Sequence, residues 1–323
     1  MTLASDIRAR LVLPAICAPM MLVSGPELVG AAAKAGIMAG LPRHNARTRE
    51  EFAQWLEDLH RDLSIHRERH PEARIGPVAA NIIASRPLEE TLPNIQLCIS
   101  RGITHFITAL GNPAEIAKAI HDHGGTILHD VTNLRFAEKA IAAGVDGLVC
   151  IGSGGGGHSG TLNALAFLPH VRAMWDGLIV FAGAVSSGAA IRAAEVLGAD
   201  LVYLGTRFIA TQESGAPPAY KAMLVEHASA DLAYTPAITG VPANWLRPSL
   251  ESRGIAPETL PPATRSYAHL PEDIRPWRDL WSAGQGIDLI DDVPDVATLV
   301  TRLRREYAEA CALPDMAKAA AHA

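Results

Sequence analysis

A chain of 323 residues, 49% of them hydrophobic, can bury one large core with room for a smaller appended unit. Its net charge of −6 leaves no basic face for a nucleic-acid backbone, and the short stretches Arg43–Arg49 and Arg302–Arg305 read as solvated helix faces. Cys17, Cys98, Cys150 and Cys311 show no C-x-x-C spacing, which points to free thiols in a reducing cytoplasm, and no run is long and apolar enough to span a membrane.

Arg8 and Arg10 ahead of the apolar stretch Leu11–Val23 mimic a signal peptide. Pro14 and Pro19 interrupt that stretch and no clean cleavage site follows, so it reads as a first strand. Strands are predicted at Leu13–Ala18, Ile37–Leu41, Gly76–Ile82, His105–Leu110, Thr126–Val131, Gly147–Ile151, Leu178–Ala182 and Leu201–Leu204. Several are continuous apolar runs, the pattern of parallel strands covered on both faces. Helical periodicity lies between them at Pro26–Ala35, Thr48–Glu68, Pro113–His121, Leu134–Ala143 and Gly188–Leu197, with Gly36, Gly144 and Gly198 placed to cap helix ends. Eight β-α repeats within residues 1–215 predict an α/β fold, a (β/α)8 TIM barrel, with a doubly wound open sheet as the runner-up.

From Glu213 the texture changes. Prolines from Pro217 to Pro276 break the chain into short pieces without strand alternation, while Tyr220, Tyr234, Trp245, Tyr267, Trp277 and Trp281 offer aromatic anchors. Residues 216–310 are expected to form a helical or loop lid packing back on the barrel mouth, including an amphipathic helix at Val293–Tyr307. Residues 311–323 are expected to be a frayed tail.

In such a barrel the chemistry gathers at the C-terminal ends of the strands. The sixth strand runs into Gly152-Ser153-Gly154-Gly155-Gly156-Gly157-His158-Ser159-Gly160. Bare backbone lets a flat ligand approach closely, and a histidine there can exchange protons near neutral pH. A flexible linker is the plain alternative, but linkers are rarely spliced onto a buried strand. After strand seven come Gly183-Ala184-Val185 and Ser186-Ser187-Gly188; after strand eight, Gly205-Thr206-Arg207. Small residues at two helix starts predict a phosphate-bearing ligand, although ordinary βα turns favour the same residue types. The first strand leads into Ala18-Pro19-Met20, and the third places Asn81 at the mouth, where it could also cap a turn. His129 and Asp130, near the end of strand five, lie within reach of the site. His121-Asp122-His123 resembles a metal pair, but it precedes strand five and belongs to the opposite end, so no metal is expected. Ser159 lacks the G-x-S-x-G spacing of a nucleophile elbow.

These pieces are collinear, and over residues 11–300 the chain resembles the FMN-dependent nitronate monooxygenases, once called 2-nitropropane dioxygenases. The likeness is carried by Ala18-Pro19-Met20, Asn81, Gly156-Gly157-His158-Ser159-Gly160, Ala182-Gly183-Ala184, Leu197-Gly198-Ala199-Asp200, the run from Leu204-Gly205-Thr206-Arg207-Phe208 to Thr211, and Trp281-Ser282-Ala283-Gly284-Gln285-Gly286. The wider flavin-barrel group also holds the class II enoyl-ACP reductases. The resemblance implies FMN at the mouth, its phosphate on Gly183, Ala184, Gly205 and Thr206. It places Ala18, Pro19 and Met20 along the isoalloxazine edge and Gly156 beside the ring, with Gly157, Asn81, Asp130 and Gln285 completing the cofactor site. It also makes His158 the catalytic base. In that chemistry a nitronate, or a nitroalkane deprotonated by the histidine, passes an electron to FMN, O2 reacts, and a carbonyl compound and nitrite leave. The expected partners are a small-molecule substrate and O2, with homodimer formation left open, and neither nucleic acid nor a membrane.

Three positions depart from the family pattern: Cys17 where Gln is common, Ala184 where a second Gly is usual, and Asp130 where some relatives place Lys near the flavin. A carboxylate in place of that cation disfavours an anionic reduced flavin. The enzymatic alternative is an NAD(P)H-dependent flavin reductase acting on a quinone or an enoyl thioester. The non-enzymatic one is a flavin-binding barrel without turnover.

Overall fold

The computed structural model describes residues 3–263 and 267–312. In chain order the first half contains α1 (Leu3–Ala9), β1 (Ala15–Cys17), α2 (Pro26–Lys34), β2 (Met38–Pro42), α3 (Arg49–Arg69), β3 (Val78–Ile83), α4 (Leu88–Ser100), β4 (His105–Ala109), α5 (Ala114–Asp122), β5 (Thr126–Val131), α6 (Leu134–Ala142) and β6 (Gly147–Ile151). The second half contains β7 (Gly157–His158), α7 (Ala164–Met174), β8 (Leu178–Ala182), α8 (Gly188–Val196), β9 (Leu201–Leu204), α9 (Thr206–Ile209), α10 (Pro218–Glu226), β10 (Leu232–Thr235), β11 (Ala243–Leu246), α11 (Arg247–Glu251) and α12 (Val296–Cys311).

Strands β1-β2-β3-β4-β5-β6-β8-β9 are parallel neighbours, and β9 pairs back onto β1 to close the barrel. Strand side chains alternate between two faces, so each strand feeds two cores. Ile16, Met38, Ala79, Ile107, Leu128, Val149 and Val180 fill the interior, while Cys17, Ala39, Ala80, Phe106, Ile127, Leu148 and Ile179 pack outward beneath the helices. Two residues further along their strands, Ala18, Asn81, Asp130, Ala182 and Tyr203 take the next inward layer, at the C-terminal mouth.

The local signals act as anticipated. Gly36, Gly144 and Gly198 follow helices with φ of 83°, 82° and 109°, a region that disfavours side chains. Helices α4 and α7 were not anticipated, because Pro93 and Pro169 lie inside them. A proline removes one backbone bond and ordinarily breaks a helix. Here Thr91, Asn94, Ile95 and Cys98 on α4, and Phe167, Leu168 and Val171 on α7, bury one face of each and hold it.

The C-terminal region, expected as a helical or loop lid without strand alternation, contains two strands. Strands β10 and β11 pair antiparallel, and β11 pairs with β7 on its other edge, giving a three-stranded sheet beside the barrel mouth. Ile238, Trp245, Leu250, Ile255, Leu270 and Leu280 form its own small core. Helix α12 begins after an Asp295 cap that accepts from Thr298 N–H at 2.8 Å. It packs on α8 so closely that a Cβ on Gly188 would lie 2.2 Å from the Tyr307 amide nitrogen. Cys311, expected in the tail, still belongs to this helix; the rest of that tail from residue 313 lies outside the described residues.

Candidate active site at the barrel mouth

The glycine run is held along its length, unlike a linker. Gly152 N–H donates to Ala182 at 2.8 Å, and Ser153 N–H to Leu162 at 2.9 Å. The Gly154 carbonyl accepts from Ala184 N–H at 3.1 Å and from Gln285 N–H at 3.0 Å. A Cβ on Gly156 would stand 2.8 Å from the Gly284 amide nitrogen, and one on Gly160 2.4 Å from the Thr132 carbonyl oxygen, so both positions exclude any side chain. Asn244 of β11 clamps the run from above. Its buried Nδ2 donates to the Gly155 carbonyl at 2.7 Å and contacts the Ser159 hydroxyl at 3.2 Å. Tyr234 of β10 adds a hydroxyl donated to the Ser159 carbonyl at 3.1 Å. Ser159 is thus built into the clamp.

His158 lies on β7, opposite Ala243. Its Nε2 is 3.0 Å from Thr239 Oγ1, and its ring meets Trp277 edge-on, with centroids 5.4 Å apart. Trp277 stacks in turn on Trp245 at 4.4 Å. Burial in this aromatic corner pushes the imidazole below its usual range, so it is neutral and able to take a proton at neutral pH.

The residues expected to hold a cofactor fall into two groups. Gly156 and Thr206 meet at Gly284, whose N–H donates to Thr206 Oγ1 at 2.9 Å, and Ala184 and Gln285 meet at neighbouring Gly154. Gly156, Ala184 and Gln285 remain exposed there, with Gly183 and Thr206 half-buried. Ala18, Met20 and Gly205 form the second group: a Cβ on Gly205 would lie 3.7 Å from Met20 Sδ and 3.9 Å from Ala18 Cβ. Pro19 packs instead over Gly40, and Asn81 donates from Nδ2 to the Ile107 carbonyl at 3.1 Å inside the mouth. Gly157 is buried in β7 with its missing Cβ faced by Trp277 at 3.3 Å, so it anchors the strand and does not join the shelf. Gly183 and Ala184 have φ of 147° and 55°. The second value lies in the left-handed region, where an L side chain costs about 1–2 kcal/mol.

Asp130 and Tyr203 bring unsatisfied polarity to the mouth. Asp130 Oδ1 and the Tyr203 hydroxyl are both shut off from solvent without a hydrogen-bond partner. Burial raises the Asp130 carboxyl to about 7, and burial together with the Asp130 charge pushes Tyr203 upward as well. At pH 7 Asp130 is therefore near its midpoint, which softens the expected full negative charge. Tyr203 was missed in the sequence; its inward parity in the eighth barrel strand was the available signal.

His129 corrects an expectation. It turns outward on β5 with Nδ1 2.8 Å from Thr108 Oγ1, and burial lowers it to about 4, so it does not reach the site. His121 sits by Asp146 at 2.8 Å, and His123 by the Ala119 carbonyl at 2.8 Å, at the far end of the barrel.

An inward layer with two orphan polar groups, open shelves of small residues after the last two strands, and a neutral histidine fit a planar, phosphate-bearing flavin. A closed parallel barrel carrying that mouth defines the flavin-dependent barrel oxidoreductases. The nitronate monooxygenase family profile matches residues 72–306, and the chain belongs to that family. It is 28% identical over 340 aligned positions to nitronate monooxygenase of Pseudomonas aeruginosa, covering 90% of this chain and 96% of the relative. It is 34% identical to nitronate monooxygenase of Paraburkholderia phytofirmans over 48% of this chain and 44% of that one. The solved nitroalkane oxidase of Streptomyces ansochromogenes superposes with a TM-score of 0.77 at 25% identity, over 95% of this chain and 98% of that chain. The chain spans about half the length of several of the curated relatives it matches, the one from Paraburkholderia phytofirmans among them. The family implies a flavin cofactor. No helix among the described residues is long and apolar enough to cross a membrane.

Proposed function

We propose that the protein is an FMN-dependent nitronate monooxygenase that oxidises alkyl nitronates, or the parent nitroalkanes, with O2 to a carbonyl compound and nitrite. The observation that carries this reading is His158, neutral and clamped at the barrel mouth next to the two small-residue shelves. Backbone at Gly183, Gly205 and Thr206, with Ala184 beside them, would receive the cofactor phosphate; the N-terminus of α8 is already occupied, its Gly188 N–H donating to Glu306 at 2.8 Å and its Ala190 N–H to Ser187 at 3.2 Å. Ala18 and Met20 would run along the ring edge, with Gly156 and Gln285 on the exposed side and Asn81, Asp130 and Tyr203 below. Bound FMN would supply the one-electron chemistry and the reaction with O2. His158 takes the proton from the carbon that bears the nitro group, and Trp277 and Trp245 keep water from one side of the imidazole. Near its midpoint at pH 7, Asp130 can hold or release a proton beneath the cofactor. Free thiols at all four cysteines, three of them buried, suit a reducing cytoplasm.

The reading is tested by products. FMN-loaded protein given a primary alkyl nitronate in air should release nitrite and the matching aldehyde in equal amounts. Absence of nitrite, with O2 consumed only when NADH or NADPH is added, would move the assignment to a nicotinamide-dependent reductase.

A further inference from the structure

We infer that Thr239 is a positioning residue for His158, holding the imidazole in the tautomer whose proton sits on Nε2 and leaving Nδ1 as the basic nitrogen. The inference rests on the reading of His158 as the base of the site. Thr239 Oγ1 lies 3.0 Å from His158 Nε2 and 3.1 Å from the Val241 carbonyl oxygen. A hydroxyl has one proton to give, and a carbonyl oxygen can only accept. We assign that proton to the carbonyl of Val241, whose own N–H also faces Oγ1 at 3.5 Å; this leaves Oγ1 an acceptor and makes Nε2 the donor across the 3.0 Å contact. Nδ1 carries no hydrogen bond among the described residues.

The hydroxyl is placed by its surroundings. Thr235 pairs with Ala243 across β10 and β11, closing the loop that holds Thr239, and Ala243 pairs with His158 itself. Within the loop, Gly240 at φ 80° donates its N–H to the Pro236 carbonyl at 2.7 Å. Next to Thr239, Ile238 is fully buried in the small core. On its other side the imidazole is met by Trp277, which opposes a ring flip. In the proton transfer, the substrate C–H bond breaks and its proton bonds to Nδ1. The electron pair stays with the carbon and spreads onto the nitro group, giving the nitronate. The imidazolium then carries N–H on both nitrogens, and Nε2–H continues to donate to Thr239.

The test uses FMN-loaded protein with 15N-labelled imidazoles and no substrate. His158 is assigned by difference from His158→Asn, and its tautomer is read from long-range 1H–15N couplings. Wild type and Thr239→Ser should both show a protonated Nε2 and a pyridine-like Nδ1. Thr239→Val should show exchange between tautomers, with kcat for a nitroalkane lowered about tenfold, KM within about twofold, and recovery in the serine variant. A protonated Nδ1 in wild type, or an unchanged tautomer in Thr239→Val, would overturn the inference. Because the spectra need no turnover, a Thr239-dependent tautomer in a protein that releases no nitrite would sink the proposed reaction and leave this inference standing.

Discussion

In the barrel wall, each strand bonds to the next wall strand along the chain until β9 returns to β1; in the sheet beside the mouth, β7 bonds only to a strand more than eighty residues away. The difference divides the site. The small-residue turns after β8 and β9 are local βα turns that the C-terminal region touches at Gly284 and Gln285, while the environment of His158 comes from Thr239, Asn244 and Trp277, all supplied by the C-terminal region.

The largest test of this division is His158→Ala. Turnover should fall about 10²-fold or more while FMN affinity stays within a few-fold, because the histidine belongs to the sheet and not to the shelf. Parallel loss of FMN would merge the two regions. Asn244→Ala comes next. It removes a buried donor from the Gly155 carbonyl and should cost about 1–3 kcal/mol, seen as a shifted urea midpoint together with impaired turnover.

Asp130→Asn probes the wall alone. The folded carboxyl titrates near 7 against about 3.9 in an unfolded chain. Below the unfolded value the carboxyl is neutral in both states and nothing is lost. As pH rises from about 4 to about 7 the unfolded chain ionises first, so native stability declines, and above 7 the full burial penalty remains. The stability advantage of Asp130→Asn over wild type should therefore grow across that window and then level off, as measured by urea midpoints at several pH values. His129, lowered to about 4, imposes the opposite trend, but it is common to both proteins and cancels. A flat difference would place Asp130 in water. The smallest effect is expected from Ala184→Gly, which relieves a φ of 55° and should raise stability by about 1 kcal/mol or less.

The same division explains what the sequence reveals. Gly147–Ile151, Leu178–Ala182 and Leu201–Leu204 are legible to the residue, because buried parallel strands are continuous apolar runs bounded by glycine and polar turns. The glycine run that ends in His158 and the small-residue turns after β8 and β9 stand out in the sequence for the same local reason. Strands β10 and β11 are not: each has four residues, and their partners are fixed by long-range pairing that no short window contains. Thr239 falls within a stretch readable only as a lid, since nothing local says that its hydroxyl meets a histidine 81 positions earlier. His129 and Asp130 look alike in the sequence, and strand parity separates them, sending one outward to Thr108 and the other into the mouth.

The account meets its most direct test in the anaerobic absorbance spectrum of FMN-loaded protein mixed in parallel with an alkyl nitronate, NADH and NADPH. It predicts rapid loss of oxidised-flavin absorbance with the nitronate and little change with either nicotinamide; bleaching by NADH or NADPH with no response to the nitronate would contradict it.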